Sequence, residues 1–253
     1  MNTIPTARIL DRLDAHLAEH DYDNAERLLV YWLKEAESGG DDRGMLAVLN
    51  EQIGLYRKLE DERKGLAAMD RALALCEKEG VCGEVSVGTT LLNAATAYKA
   101  FGMAGKALPL YEKALKLYER SLDEKDSRFG GLYNNLALTL TELRRYRDAR
   151  AYFLRALDIM KGQPGGACEQ AITYLNLADL AMAERGEEDG AEEAESFCQI
   201  AAELLLDDDI ERDAHYRYTC ERCAPVLGYY GFFAAEDELK ARMEKAHEGT
   251  GTG

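Results

Sequence analysis

The sequence predicts an all-α fold, a solenoid of antiparallel helix pairs, and three observations carry that prediction. Ala72, Ala114, Ala156 and Ala201 close similar segments at spacings of 42, 42 and 45 residues. A repeat of roughly 20–50 residues marks units that bury their apolar faces only against their neighbours. The composition also favours helix over strand, with 4 prolines in 253 residues and 47% apolar content. Finally, each segment reads as two amphipathic helical stretches separated by a single short break.

Taken in order, residues 5–38 fit a first pair, with Asp21-Tyr-Asp-Asn-Ala25 as its turn and helix start. Residues 42–79 fit a second, whose close-packing positions in the second helix are Gly65 and Ala72. The third, 84–121, contains the clearest unit, Leu91 to Arg120, broken at Gly102, a residue that costs about 1 kcal/mol inside a helix. The fourth, 126–161, repeats the scheme with Arg144 where the glycine stood. The fifth, 166–206, has extra residues near Gly186–Gly190, from which an acidic loop is expected to project. The sixth, 210–247, turns near Gly231, and residues 248–253 read as a polar, flexible tail. The six pairs form one expected domain, residues 1–247.

The repeated positions are Leu91, Ala94, Ala95, Gly102, Ala107, Tyr111 and Ala114, then Tyr133, Leu136, Ala137, Arg144, Ala149, Phe153 and Ala156. Tyr174, Leu177, Ala178, Ala194, Cys198 and Ala201 follow in the fifth. On these residues the chain resembles tetratricopeptide-repeat proteins. The resemblance implies a right-handed superhelix whose small residues let the paired helices approach while large ones fill the space between pairs. The family's ordinary repeat is ~34 residues, so 42 adds about one turn to each helix. With Asn134-Asn135-Leu136-Ala137, this looks most like the subfamily of kinesin light chains and many bacterial signalling proteins, and implies a bacterial source. That subfamily's Gly-x-x-His-Pro loop is absent; Leu122 to Gly131 reads LDEKDSRFGG.

The resemblance also implies a concave groove lined by the first helix of each pair, and hence a protein or peptide partner. The implied groove positions are Asn50, Gly54, Arg57 and Lys58; Thr89, Asn93, Thr96 and Lys99; Asn134, Asn135, Leu138 and Thr141; Asn176, Asp179 and Met182. Asn93, Asn135 and Asn176 share one register. A side-chain amide both donates and accepts, so such a ladder can pair the N–H and C=O groups of an extended peptide. Equally, such amides can pair with the neighbouring helix and serve the solenoid itself. Leu138 and Met182 would add apolar contact, and Arg57, Lys58 and Lys99 charge.

Lys plus Arg total 31 against 47 Asp plus Glu, a formal charge of −16. Such a surface repels phosphate backbones and anionic headgroups, which argues against nucleic-acid and membrane partners. Residues 179–213 hold 14 of the acids and 2 bases, either a solvated face or a docking patch for a basic partner. Arg144, Arg145, Arg147 and Arg150 precede it, and opposite charges this close could drive homo-oligomerisation. No stretch of signal-peptide or membrane-span length occurs, which predicts a cytoplasmic protein.

Catalytic, metal and cofactor chemistry find no foothold. The histidines, at 16, 20, 215 and 247, lie near the chain ends, and no phosphate-binding or nucleophile-elbow motif occurs. Cys220-Glu-Arg-Cys223 lacks the second paired motif that zinc commonly requires and the strand context of redox Cys-x-x-Cys sites. These cysteines are expected to be packing residues, and no structural disulfide is expected. The sequence thus predicts a non-enzymatic interaction scaffold. Its alternatives are a peptide-responsive regulator acting on a separate effector chain, since the first repeat begins by residue 5, and a self-assembling structural adaptor.

Overall fold

Every described turn inside a helix pair carries one residue in the left-handed backbone region, and the spacing of those residues sets the repeat. They are His20, Glu60, Gly102, Arg144, Gly186 and Gly231, with φ between 56° and 87°. The computed structural model describes residues 3–248, with side chains as far as 243. Among the described residues it is all helical: α1 (Thr6–Ala18), α2 (Tyr22–Gly39), α3 (Asp42–Lys58), α4 (Glu62–Cys76), α5 (Glu84–Ala100), α6 (Ala104–Ser121), α7 (Arg128–Glu142), α8 (Tyr146–Met160), α9 (Gly166–Leu206), α10 (Ala214–Tyr229) and α11 (Phe233–Glu248). The expected tail falls, from residue 249 on, outside the described residues. The helices fall into two compact units, residues 1–123 and 124–253, described separately below.

In the first unit, α1 packs on α2, α3 on α4 and α5 on α6, and α2 packs on α3 to join successive pairs. Side chains set the starts of three helices. Asp21 accepts from Asn24 N–H at 3.2 Å, Asp41 from Gly44 N–H at 2.9 Å and Asp61 from Lys64 N–H at 2.9 Å. Each cap satisfies a backbone donor that the helix cannot. Asp41 also accepts the Ile4 N–H at 2.9 Å, which ties the entry of α1 to the start of α3. The second helices of the second and third pairs present a buried triad spaced four and then three apart. It is Gly65, Met69 and Ala72 in α4 and Ala107, Tyr111 and Ala114 in α6. A methyl at Gly65 would stand 2.8 Å from the Phe101 ring, so the absence of a side chain there is what lets α4 meet the end of α5.

The second unit repeats the arrangement with Ala149, Phe153 and Ala156 in α8 and Ala194, Cys198 and Ala201 in α9, all at most 1% exposed. Its fifth pair departs from the expected acidic loop. The chain stays helical from 166 to 206 apart from Gly186, where φ is 82° and ψ 176°. The left-handed residues are still 42 apart, from Arg144 to Gly186, so the three added residues fall after the turn: Ala194 lies eight beyond Gly186, whereas Ala149 lies five beyond Arg144. They lengthen a helix instead of forming a loop, because Glu187, Glu188, Ala191 and Glu192 are better helix formers than turn formers. The two arms meet closely where Gly190 faces Ala181.

Arg144 shows the cost of a non-glycine turn. Its φ is 58°, a conformation about 1–2 kcal/mol unfavourable for a residue with a Cβ. Since the side chain is exposed, Arg144→Gly is expected to stabilise the fold by about 1 kcal/mol, less the extra backbone entropy glycine loses. Thermal denaturation checks this; a lowered midpoint would contradict it.

Candidate functional site

The groove asparagines do not stand alone; within each unit the structure pairs them diagonally across successive first helices. In the first unit, Asn93 of α5 donates through Nδ2 to Asn50 Oδ1 of α3 at 2.9 Å. Asn50 in turn donates to Leu46 O and to Thr90 Oγ1, both at 3.0 Å. In the second unit, Asn176 of α9 donates through Nδ2 to Asn134 Oδ1 of α7 at 3.1 Å, and Thr173 Oγ1 donates to the same oxygen at 3.3 Å. Relative to the repeat register, Asn50 and Asn134 sit one place before the shared position of Asn93, Asn135 and Asn176. The diagonal follows from the offset between neighbouring helices, and the spacings of the two bridges are 43 and 42 residues.

The consequence is a division of labour among the amides. Both Asn50 donors are consumed within the unit, so this side chain fixes its neighbours. Asn93 and Asn176 each use one N–H in the bridge, which orients the amide plane and leaves its Oδ1 and second N–H without a further hydrogen bond among the described residues. Asn135 behaves differently. Its Nδ2 turns back to Gly131 O of its own helix at 3.0 Å. Shared register therefore does not give the three asparagines a shared environment.

The other expected groove residues fall as follows. Thr89 and Thr96 are engaged by tyrosines, Tyr118 Oη lying 2.9 Å from Thr89 Oγ1 and Tyr111 Oη donating to Thr96 Oγ1 at 3.0 Å. Arg57 is exposed at the end of α3, and beside it Lys58 Nζ stands 5.2 Å above the Tyr22 ring, a cation–π contact. Lys99, Leu138 and Met182 are half-buried, Met182 against the core of the second unit. Thr141 bonds back to Ala137 O. Asp179 accepts from Tyr230 Oη at 2.7 Å; desolvation holds its carboxyl above the ordinary carboxylate range, with that hydrogen bond acting in the opposite direction. A Cβ added at Gly54 would meet nothing within 4 Å, so α3 has open space beside that position.

Cys220 and Cys223 are core residues, 0% and 3% exposed, packed with Cys168, Cys198 and Tyr216. Burial pushes the Cys223 and Cys198 thiols up to about 12 and that of Cys168 to about 11, away from thiolate chemistry. Among the described residues no group of three or more His, Cys, Asp or Glu side chains is placed to hold a metal ion. No described helix is long and apolar enough to cross a membrane.

The acidic patch and the arginine run meet inside the second unit. Arg150 donates to Glu193 at 2.7 Å and to Glu184 at 2.8 Å, clasping both arms of α9 to α8. Arg145 pairs with Asp148 at 2.7 Å. The sequence showed an arginine run ahead of an acidic stretch without showing that Arg150 closes these pairs within the chain. Sequence reading also missed the diagonal bridges, because it aligned like positions whereas the contacts join unlike ones.

The Tetratricopeptide repeat family model matches residues 44–120 and 129–196. No match was found among curated proteins. Among solved structures, BtubC (BKLC) from P. vanneervenii is 20% identical, with 93% of this chain and 92% of that one covered at a TM-score of 0.61. A Podosopora anserina kinesin light chain of nearly identical TPR-like repeats is 15% identical, with 84% and 99% covered at a TM-score of 0.57. At these identities the likeness is one of fold. With more than half of its length matched by the family model, the chain belongs to the tetratricopeptide-repeat family.

Proposed function

We propose that the protein is a non-enzymatic scaffold that binds an extended peptide, or a helix of a partner protein, along the first helices of its pairs. What chiefly supports this reading is the state of the Asn93 and Asn176 amides. Each is held in orientation by one hydrogen bond and keeps an acceptor and a donor for a ligand. Fixing a polar group before binding reduces the entropy lost on association. In the proposal Asn135 contributes a third amide, Asn50 in the first unit and Asn134 in the second each stand beside these amides, Leu138 and Met182 supply apolar contact, and Arg57 and Lys99 supply charge. A single working domain spanning residues 1–247, and a cytoplasmic setting, are parts of the same reading.

The groove can be tested without disturbing the fold. Gly54→Leu starts a side chain where a Cβ meets nothing within 4 Å and removes a helix glycine, worth about 1 kcal/mol in favour of the helix. It is expected to raise the unfolding midpoint slightly while reducing partner capture at least about tenfold, a loss on the scale of one obstructed anchor. Capture unchanged in the stabilised variant would count against the groove. Peptide-driven regulation of a separate effector would use the same residues, and a change in solution scattering on adding peptide distinguishes it. Self-assembly through the acidic and basic stretches predicts an oligomer that dissociates as salt rises, which sedimentation at two ionic strengths measures.

A further inference from the structure

Four of the six cysteines are buried; the other two, Cys76 at the end of α4 and Cys82 just ahead of α5, are half-buried. Both pack against the core of the first unit. The chain between them folds back on itself. Lys78 N–H donates to Leu75 O at 3.2 Å and Val81 N–H to Lys78 O at 3.4 Å, and Gly80 takes a left-handed φ of 78°. The start of α3 pins this turn, through Arg43 Nε to Val81 O at 2.9 Å and Lys78 Nζ to Asp42 at 3.1 Å. The Cys82 thiol is thereby held within hydrogen-bonding reach of Cys76.

The two thiols have different surroundings. Cys82 borders a cavity of about 390 Å³ together with Arg43, Asn50 and Ser86. Arg43 makes no ion pair among the described residues, so its positive charge favours the entry of a small anionic reagent. Cys76 does not line the cavity. Burial chiefly pushes its thiol up to about 11, with the Thr90 hydroxyl acting in the opposite direction and Cys82 adding to the rise. Thr90 Oγ1 also accepts from Asn50 Nδ2 at 3.0 Å, and Asn50 Oδ1 accepts from Asn93 Nδ2 at 2.9 Å. A continuous polar chain thus runs from Cys76 through Thr90 and Asn50 to Asn93.

We infer that Cys76 and Cys82 are a redox pair, oxidised to a disulfide by small-molecule disulfides, and that this oxidation resets the Asn50–Asn93 bridge. Cys82, as the thiol that meets the cavity, attacks one sulfur of the reagent RSSR. Its S–S bond breaks, and the departing RS⁻ takes up the proton that Cys82 released. Cys76, deprotonated in turn, attacks the Cys82 sulfur of the mixed disulfide and expels the second RS⁻, which takes the second proton. Two protein thiols lose two electrons in all, and RSSR is reduced to two RSH. The new S–S bond draws the Cys76 sulfur away from Thr90, and the amides beyond Thr90 readjust. Excess small thiol reverses the exchange. The chemistry of the pair stands apart from the groove; its consequence for ligand capture rests on the groove reading above.

The test treats the folded full chain with oxidised glutathione, blocks the remaining thiols with N-ethylmaleimide, and digests with trypsin without reduction. Trypsin cuts after Arg71, Lys78 and Lys99, so fragments 72–78 and 79–99, with one cysteine each, stay joined only through a Cys76–Cys82 disulfide. Mass spectrometry should find the joined fragments, and dithiothreitol should separate them. Cys76→Ser should stop at a glutathione adduct on Cys82, whereas in Cys82→Ser an adduct on Cys76 should form at least about tenfold more slowly. In the ¹⁵N-labelled chain, forming the disulfide should shift the Asn93 side-chain NH₂ signals. The inference is overturned if the fragments part without reduction, if Cys76 in Cys82→Ser reacts as fast as Cys82 in Cys76→Ser, or if the Asn93 signals stay in place in the oxidised chain. No ligand is added, so each of these results is independent of whether the groove binds peptide.

Discussion

Replacing Tyr111 by alanine is expected to destabilise the protein by about 3–5 kcal/mol, the usual cost of truncating a buried large aromatic. The ring is 0% exposed between Ala107 and Ala114, at the middle of the triad by which α6 meets α5. Those alanines are small because the tyrosine is large; with no bulky neighbour able to move in, a cavity remains. Tyr111→Phe separates volume from polarity. It keeps the ring and removes the hydroxyl that donates to Thr96 Oγ1, a hydrogen bond worth about 1 kcal/mol net. Since domains are stable by roughly 5–15 kcal/mol, the alanine variant should lose a large part of its stability and the phenylalanine variant little. Urea unfolding of the three proteins measures both; equal losses would show that the ring does not fill the space between α5 and α6.

Gly190→Val is expected to be the second large perturbation, by overpacking instead of a void. Even the first atom of a side chain at 190 would lie 2.6 Å from Ala181 O and 3.1 Å from Met182 Cα. These are backbone atoms of the facing arm of α9, so no rotamer change relieves the contact. Overpacking of this kind costs about 1–3 kcal/mol, and valine's second branch adds to it. The damage should concentrate on the arms of α9 about Gly186, read as faster amide hydrogen exchange across 175–200 than in α7. Gly186→Ala acts by another route, forcing a Cβ onto a backbone at φ 82°, and should show a smaller loss. A neutral Gly190→Val would mean that the arms do not approach as described.

Why some of this was legible in the sequence follows from what each residue responds to. Ala107, Tyr111 and Ala114 recur because every pair solves the same local packing problem, so periodicity reveals them. Gly102 marks its turn for the same reason. Arg144 and Glu60 hide theirs, since a charged, exposed side chain gives no sign of a left-handed backbone; only the 42-residue spacing from Gly102 marks Arg144. The fifth pair misled because inserted acidic residues suggest a loop, whereas after Gly186 they extend the second arm of α9. For the asparagines, sequence register identified the right side chains but not their partners. Asn93 meets Asn50 and Asn176 meets Asn134, while Asn135 turns to Gly131.

The hydrogen bonds also decide which asparagine best tests the groove. Removing Asn93 or Asn176 breaks a partly buried bridge between helices and so lowers stability as well as binding. Asn135 bonds only to its own helix, making Asn135→Ala the variant in which the two effects separate. The most direct measurement compares the original chain with Asn135→Ala in affinity capture from native cell extract, quantified by mass spectrometry, with unfolding midpoints recorded in parallel. A groove that reads peptide backbone predicts at least about a tenfold loss of the captured partner at an unchanged midpoint. Undiminished capture, or a midpoint that falls together with capture, would contradict it.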